Sequence, residues 1–174
     1  MQRLKIIRAV AIAMMLNSCV GYPRLVNYPF MPGGQGLNSP AAELTPQVTQ
    51  RYIVFSSDRR GRQDIYLYDI LNRQLVNLPG LNSLDSISTD PAISADGRYI
   101  VFAATRQGKS NIMLYDRETN QLRNLTANLQ SDVRNPTISD DGSTIAFESS
   151  ANGQWDILIY NRDGNPLNIP LRPR

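Results

Sequence analysis

The 174-residue sequence contains no histidine. A Ser-His-Asp or Cys-His catalytic arrangement is therefore excluded, as are histidine-based zinc sites. Its single cysteine, Cys19, has no partner for an intramolecular disulfide. Asp96, Asp140 and Asp141 lie in Asp-Gly turns. One or two carboxylates per turn fall short of the roughly 6–8 oxygens that calcium takes, so turn chemistry explains them. No enzymatic activity, cofactor or metal is expected. The side chains with chemistry to offer are the loop cations Arg59, Arg60, Arg62, Arg106 and Lys109, with the only tryptophan, Trp155, near them. Arginine forks suit carboxylate or phosphate groups. Together these residues form a candidate binding rim for an acidic partner or an anionic glycan, against the plainer reading of a solvated loop face. Trp155 could stack on a sugar, but packing between neighbouring sheets is the preferred reading.

Cys19 follows a pattern of its own. Arg3, Lys5 and Arg8 precede an apolar run from Ala9 to Leu16, and Leu16-Asn17-Ser18-Cys19 closes it. A positive start, a short apolar run and a small residue before the cut make an export signal over residues 1–18. The run is too short to span a bilayer, which takes ~20 residues. The last four residues resemble a bacterial lipoprotein signal, which implies lipid attachment at Cys19. The expected location is the cell envelope, on a membrane. The formal net charge is +3, from 18 basic and 15 acidic residues. Those three N-terminal cations account for all of the excess, so the exported chain carries no basic stripe and no nucleic-acid partner is expected.

Residues 19–50 read as a tether. Pro23, Pro29, Pro32, Pro40 and Pro46, with Gly21, Gly33, Gly34 and Gly36, break any helical or strand period. Tyr22, Tyr28 and Phe30 could rest on the membrane or dock on the domain, and a plain spacer is the preferred reading.

The elements that must position the rim are repeats. YIVF occurs at 52–55 and 99–102, and TIAF at 144–147; Ile53, Ile100 and Ile145 are spaced by 47 and 45 residues. Such a period suits propeller blades or a solenoid. The second repeat resolves into strands at Pro91–Ser94, Tyr99–Ala103, Asn111–Asp116 and Gln121–Thr126. Asp96-Gly97 forms the first hairpin turn. The third follows the same course through Thr144–Glu148, Trp155–Tyr160 and Pro166–Ile169. The middle strands are nearly continuous apolar runs, as in a sheet covered on both faces. Tyr68, Tyr115 and Tyr160 recur at one place, which marks a packing position. The expected fold is all-β, with three four-stranded antiparallel propeller blades over 51–170, at about 51–79, 91–127 and 136–170. The first blade has only six residues from Pro46 to Tyr52, against eight from Pro91 to Tyr99. It has no room for the Asp-Gly hairpin and is expected to carry only the later strands.

The run Pro-x-Ile-Ser-x-Asp-Gly-x-x-Ile-x-Phe, then a strand ending Tyr-Asp, then Asn-Leu-Thr, resembles the TolB-like β-propeller repeat. Residues 91–126 carry it most fully and 136–169 nearly so. The resemblance implies an exported propeller that binds other envelope proteins. This sequence departs from the full TolB pattern: a Pro/Gly tether stands where an N-terminal α/β domain would be, and three blades stand where TolB has six. Propellers close with ~4–8 blades. Three blades therefore suggest a homodimer, an open wedge whose bare face takes a partner, or a truncated gene product. A self-associating structural envelope protein and a glycan-binding propeller are the alternative readings. Similar propellers occur in peptidases and polysaccharide lyases, but those peptidases add a hydrolase domain and those lyases use histidine and metal.

Overall fold

The computed structural model describes residues 36–168. Residues 1–18, read above as an export signal, and Cys19 lie outside the described residues, as does most of the segment read as a tether. The described residues form eleven strands and no helix, so no helix among them is long and apolar enough to cross a membrane. Glu43–Val48 (β1), Tyr52–Ser57 (β2), Asp64–Asp69 (β3) and Gln74–Leu75 (β4) form the first antiparallel sheet, in that order. Ile87–Ile93 (β5), Tyr99–Arg106 (β6), Lys109–Asp116 (β7) and Gln121–Asn124 (β8) form the second. Val133–Ile138 (β9), Thr144–Ser149 (β10) and Asp156–Asn161 (β11) form the third. A fourth strand there is represented by one bridge, Tyr160 to Pro166, and a hydrogen bond from Leu167 N to Ile159 O. Ile169, expected in it, is outside the described residues.

Each blade is a meander because its turns are built for one. Gln107 and Gly108, both at positive φ (50° and 79°), close the β6–β7 hairpin between paired Arg106 and Lys109. That is the twist-compatible two-residue turn. The loop expected over 106–110 shrinks to these two residues. In the β5–β6 turn Gly97 sits at φ 75°. Asp96 accepts from Ser94 Oγ (2.5 Å) and Arg98 N (2.9 Å). The same contacts recur in the third blade through Ser139, Asp141 and Ser143.

Strand alternation gives each blade two apolar faces, and two cores result. Tyr52, Val54, Ile65 and Leu67 of the first blade pack against Ile93, Ile100, Phe102 and Tyr115 of the second. The second blade's other face, with Tyr99, Val101, Ile112 and Leu114, packs against Ile145 and Phe147 of the third, joined by Leu158 and Tyr160. Full burial of each such side chain contributes about 1.5–3 kcal/mol. Two of the three recurring tyrosines, Tyr115 and Tyr160, pack into the cores, while Tyr68 is half-buried and in neither. Tyr115 is fully buried and its hydroxyl donates to Pro79 O at 2.8 Å, while Tyr160 meets the Phe147 ring edge-on at 5.0 Å.

The first blade differs from its expected form. Glu43–Val48, placed by sequence within the tether, is a full first strand paired with β2. The shortened turn is real: the hydrogen bond that closes it runs from Thr49 N to Tyr52 O (2.8 Å), whereas the equivalent bond in the second blade, Ser94 N to Tyr99 O (3.0 Å), encloses the longer Asp-Gly turn. The shortening removes two turn residues and leaves the strand intact. In all three blades this first strand is interrupted at a proline. Thr45, Asp90 and Asn135, each preceding Pro46, Pro91 or Pro136, have φ near 50°, and the register shifts beside each of them. A bulge is where proline's missing N–H does no harm to a strand.

Candidate functional site

The loops between second and third strands do share one rim with the inter-blade linkers. Ser88 N bonds Gln63 O (3.0 Å), Ser150 N bonds Asp132 O (3.0 Å), and Ser110 Oγ donates to Val133 O (2.7 Å). Arg106 forms an ion pair with Asp85 of the linker. The rim cations are thus brought together along one edge, but their roles separate.

Arg59 is turned inward, contrary to its expected place on a solvent-facing rim. Its side chain is only 6% exposed. It donates to Glu43 Oε1 (2.8 Å), Gly36 O (3.0 Å) and Leu37 O (2.9 Å). The guanidinium lies over the rings of Phe55 and Tyr66, 5.1 and 4.7 Å from their centroids. Phe55 and Tyr66 belong to the face of the first blade that, among the described residues, no other blade covers. Arg59 and the chain at 36–39 cap that face in place of a neighbour. Arg62 is committed to buried Asp64 through two contacts of 2.8 and 3.1 Å. Arg60 and Lys109 are exposed and, among the described residues, carry no ion pair.

Trp155 does not pack between blades as expected. It lies at the free face of the third blade, 45% exposed, with Arg134 stacked 3.8 Å from its ring centroid. Arg134 also pairs with Glu148, whose pKa is held low by hydrogen bonds from Asn135 and then Arg134. Ile157 on this face is 63% exposed. Its counterparts Ile65 and Ile112 are fully buried. Thr144, Ala146 and Glu148 occupy the positions of Tyr99, Val101 and Ala103, so the third blade presents a smaller and more polar outer face.

A second array, on the opposite rim, was not singled out from sequence. Arg51 pairs with Asp69 and Arg98 with Asp116, each at 2.8 Å. Tyr52 lies between Arg51 and Arg117 (5.1 and 4.6 Å), and Tyr99 between Arg98 and Arg162 (4.9 and 4.8 Å). The turn glycine of each following blade fits against these rings: a Cβ on Gly97 would collide with Tyr52, and one on Gly142 with Tyr99. This array locks blade to blade. The Arg-Tyr pair at 51–52 and 98–99 was its visible sequence signal. Among the described residues no three His, Cys, Asp or Glu side chains approach closely enough to hold a metal.

Comparison with known proteins gives the same architecture. The sequence profile described as TolB beta propeller domain matches residues 36–169. No curated protein matches the chain. The structure of TolB from Acinetobacter baumannii is 26% identical with a TM-score of 0.60, over 75% of this chain and 32% of that one. A putative TolB from Agrobacterium tumefaciens is 25% identical with a TM-score of 0.53, over 66% of this chain and 40% of that one. The propeller domain of the Trilobed protease from Pyrococcus furiosus has a TM-score of 0.56 at 15% identity, over 74% of this chain and 42% of that one, a likeness of fold alone. The chain therefore spans less than half the length of the solved structures it resembles.

Proposed function

The chain belongs to the TolB beta propeller domain family, and from that premise we propose that it is a non-catalytic protein-interaction module of the bacterial envelope. In this reading Cys19 carries the lipid anchor and the segment from 19 to about 40 holds the blades off the membrane. The observation that carries the interaction reading is the convergence of all three second-to-third-strand loops and their linkers on one edge. That edge offers Lys109 and Arg60 as cations without ion pairs and Trp155 as an exposed ring. Arg62 and Arg106, already paired with carboxylates, contribute less. Arg59 holds the cap and is withdrawn from the rim.

Capture of an envelope partner by the full chain is the test. Lys109→Glu combined with Trp155→Ala is expected to weaken capture at least about tenfold, and Lys109→Glu alone to weaken it without lowering the melting temperature, since Lys109 is exposed and without an ion pair among the described residues, whereas Trp155 is 45% exposed with Arg134 stacked on its ring. Wild-type capture by this variant would remove the rim from the account. Cys19→Ala is expected to release the protein from the membrane fraction. A homodimer, with the third blade of one copy on the first blade of another, is the second reading. Exposed Ile157 favours it, and the cap at Arg59 and the polar Thr144 and Glu148 oppose it. Mass by light scattering across a dilution series decides between the two.

A further inference from the structure

A cavity of about 470 Å³ lies against the outer edge of the first blade, lined by Arg59, Arg60, Tyr66, Gln74 and Asn77 among others. That volume is in the range of small-ligand sites. Tyr66 is more than nine-tenths buried (7% exposed), and among the described residues its hydroxyl makes no hydrogen bond. A buried hydroxyl without a partner needs an explanation. Packing does not supply one, because the equivalent positions in the other blades are Met113 and Leu158. Their apolar side chains serve the same face without a polar atom. The cation is also particular to this blade: Arg60 stands where the others have Gln107 and Asn152. Arg60 is exposed, lies 5.9 Å from the Tyr66 ring centroid, and is held by no ion pair among the described residues.

Burial raises the Tyr66 pKa, and Asp64 adds to this, while Arg60, Arg59 and Arg62 pull the other way. The net shift is upward, so the phenol is protonated at neutral pH and is a hydrogen-bond donor. One buried O–H donor beside one uncommitted guanidinium is a donor set for a carboxylate.

We propose that this cavity takes the carboxylate of an aspartate or glutamate side chain on an acidic peptide segment, with Tyr66 Oη donating to it and Arg60 closing over it. Arg59 shapes the wall and stays bound to Glu43. The amides of Gln74 and Asn77 line the mouth, where the peptide main chain passes. This deepens the interaction reading above and rests on it only for the partner being a protein.

The test is calorimetric titration of the full chain with an acetylated, amidated triglutamate peptide at low salt. The triglutamine peptide is expected to bind at least about tenfold more weakly, and Tyr66→Phe to bind triglutamate about tenfold more weakly or worse, the loss of one hydrogen bond to a charged group. Arg60→Ala is expected to lose about tenfold. The melting temperature of Tyr66→Phe stays level or rises, because the variant removes an unpaired buried hydroxyl. Equal binding of the two peptides overturns the proposal, as does wild-type affinity in Tyr66→Phe. A fall in its melting temperature also overturns it, by showing that the hydroxyl has a structural partner. A glucuronate oligomer that binds more tightly than the peptide overturns the peptide assignment and gives the site to a glycan. The assay needs no natural partner, so its failure leaves capture through Lys109 and Trp155 standing, and the reverse holds equally.

Discussion

Arg59→Ala separates a cap from a rim residue. The side chain is 6% exposed, and its contacts to Glu43, Gly36 O and Leu37 O fix the chain at 36–43 against the first blade. Its removal leaves the Glu43 carboxylate with Ser39 Oγ (2.6 Å) and Ser57 Oγ (3.4 Å) as donors, takes the guanidinium away from two backbone carbonyls, and uncovers the Phe55 and Tyr66 rings. Breaking a buried pair by deleting one partner costs about 3–5 kcal/mol. Glu43 keeps some access to water, its side chain being 19% exposed, which places the expected cost near the lower end, about 3 kcal/mol. For a domain of this size that is a fall of roughly 10 °C in melting temperature. Urea unfolding of the full chain measures it, with Arg60→Ala as the exposed neighbour, expected within about 0.5 kcal/mol of wild type. Glu43→Gln completes a double-mutant cycle, with an expected coupling of about 1–2 kcal/mol. If Arg59→Ala costs no more than Arg60→Ala, or if the cycle shows no coupling, the cap does not hold the first blade's outer face.

Gly97 and Gly108 both sit at positive φ, but only Gly97 has a ring where a Cβ would go. Gly108→Ala is expected to cost about 1 kcal/mol in backbone strain, and Gly97→Ala about 2–4, because the Tyr52 ring between Arg51 and Arg117 has no space to retreat. Equal losses in chemical denaturation would show that the Gly97–Tyr52 contact is slack. Acid should destabilise the fold within a defined window. Asp141 is lowered to about 2 by Ser139 and Ser143. Asp116 is lowered chiefly by Arg98, and Asp69 by the Asn72 backbone and Arg51. Folded-state values below the unfolded one mean stability that is complete above about pH 4 and lost as pH falls through the folded values. Melting temperatures should be level from pH 7 to 5 and decline below 4. A level profile down to pH 2 would contradict these contacts.

How far the sequence spoke depended on how each residue is buried. The second blade was legible because Tyr99–Ala103 and Ile112–Tyr115 are covered on both faces, which leaves an unbroken apolar run. The Asp-Gly turn was legible because its side chain must accept from Ser94 and Arg98. β1 was not legible, because Leu44 and Val48 are exposed and Pro46 reads as a breaker until the bulge explains it. The equal spacing of Pro46, Pro91 and Pro136, 45 residues apart, carried the missing strand. Arg59 reads the same as Arg60 in a loop. Only the return of residues 36–43 over Phe55 distinguishes them, and no local pattern encodes that long-range contact. Trp155 was assigned to a blade interface on the habits of its residue type, whereas in this chain its blade is the last one described.

The interaction reading is tested most directly by a photo-crosslinking amino acid placed at Lys109, on the rim, and separately at Glu118, on the opposite edge, in the full chain in its own cells. The account predicts a discrete crosslinked protein from Lys109 and none from Glu118. Crosslinks from Glu118 alone, or the same products from both positions, would contradict it.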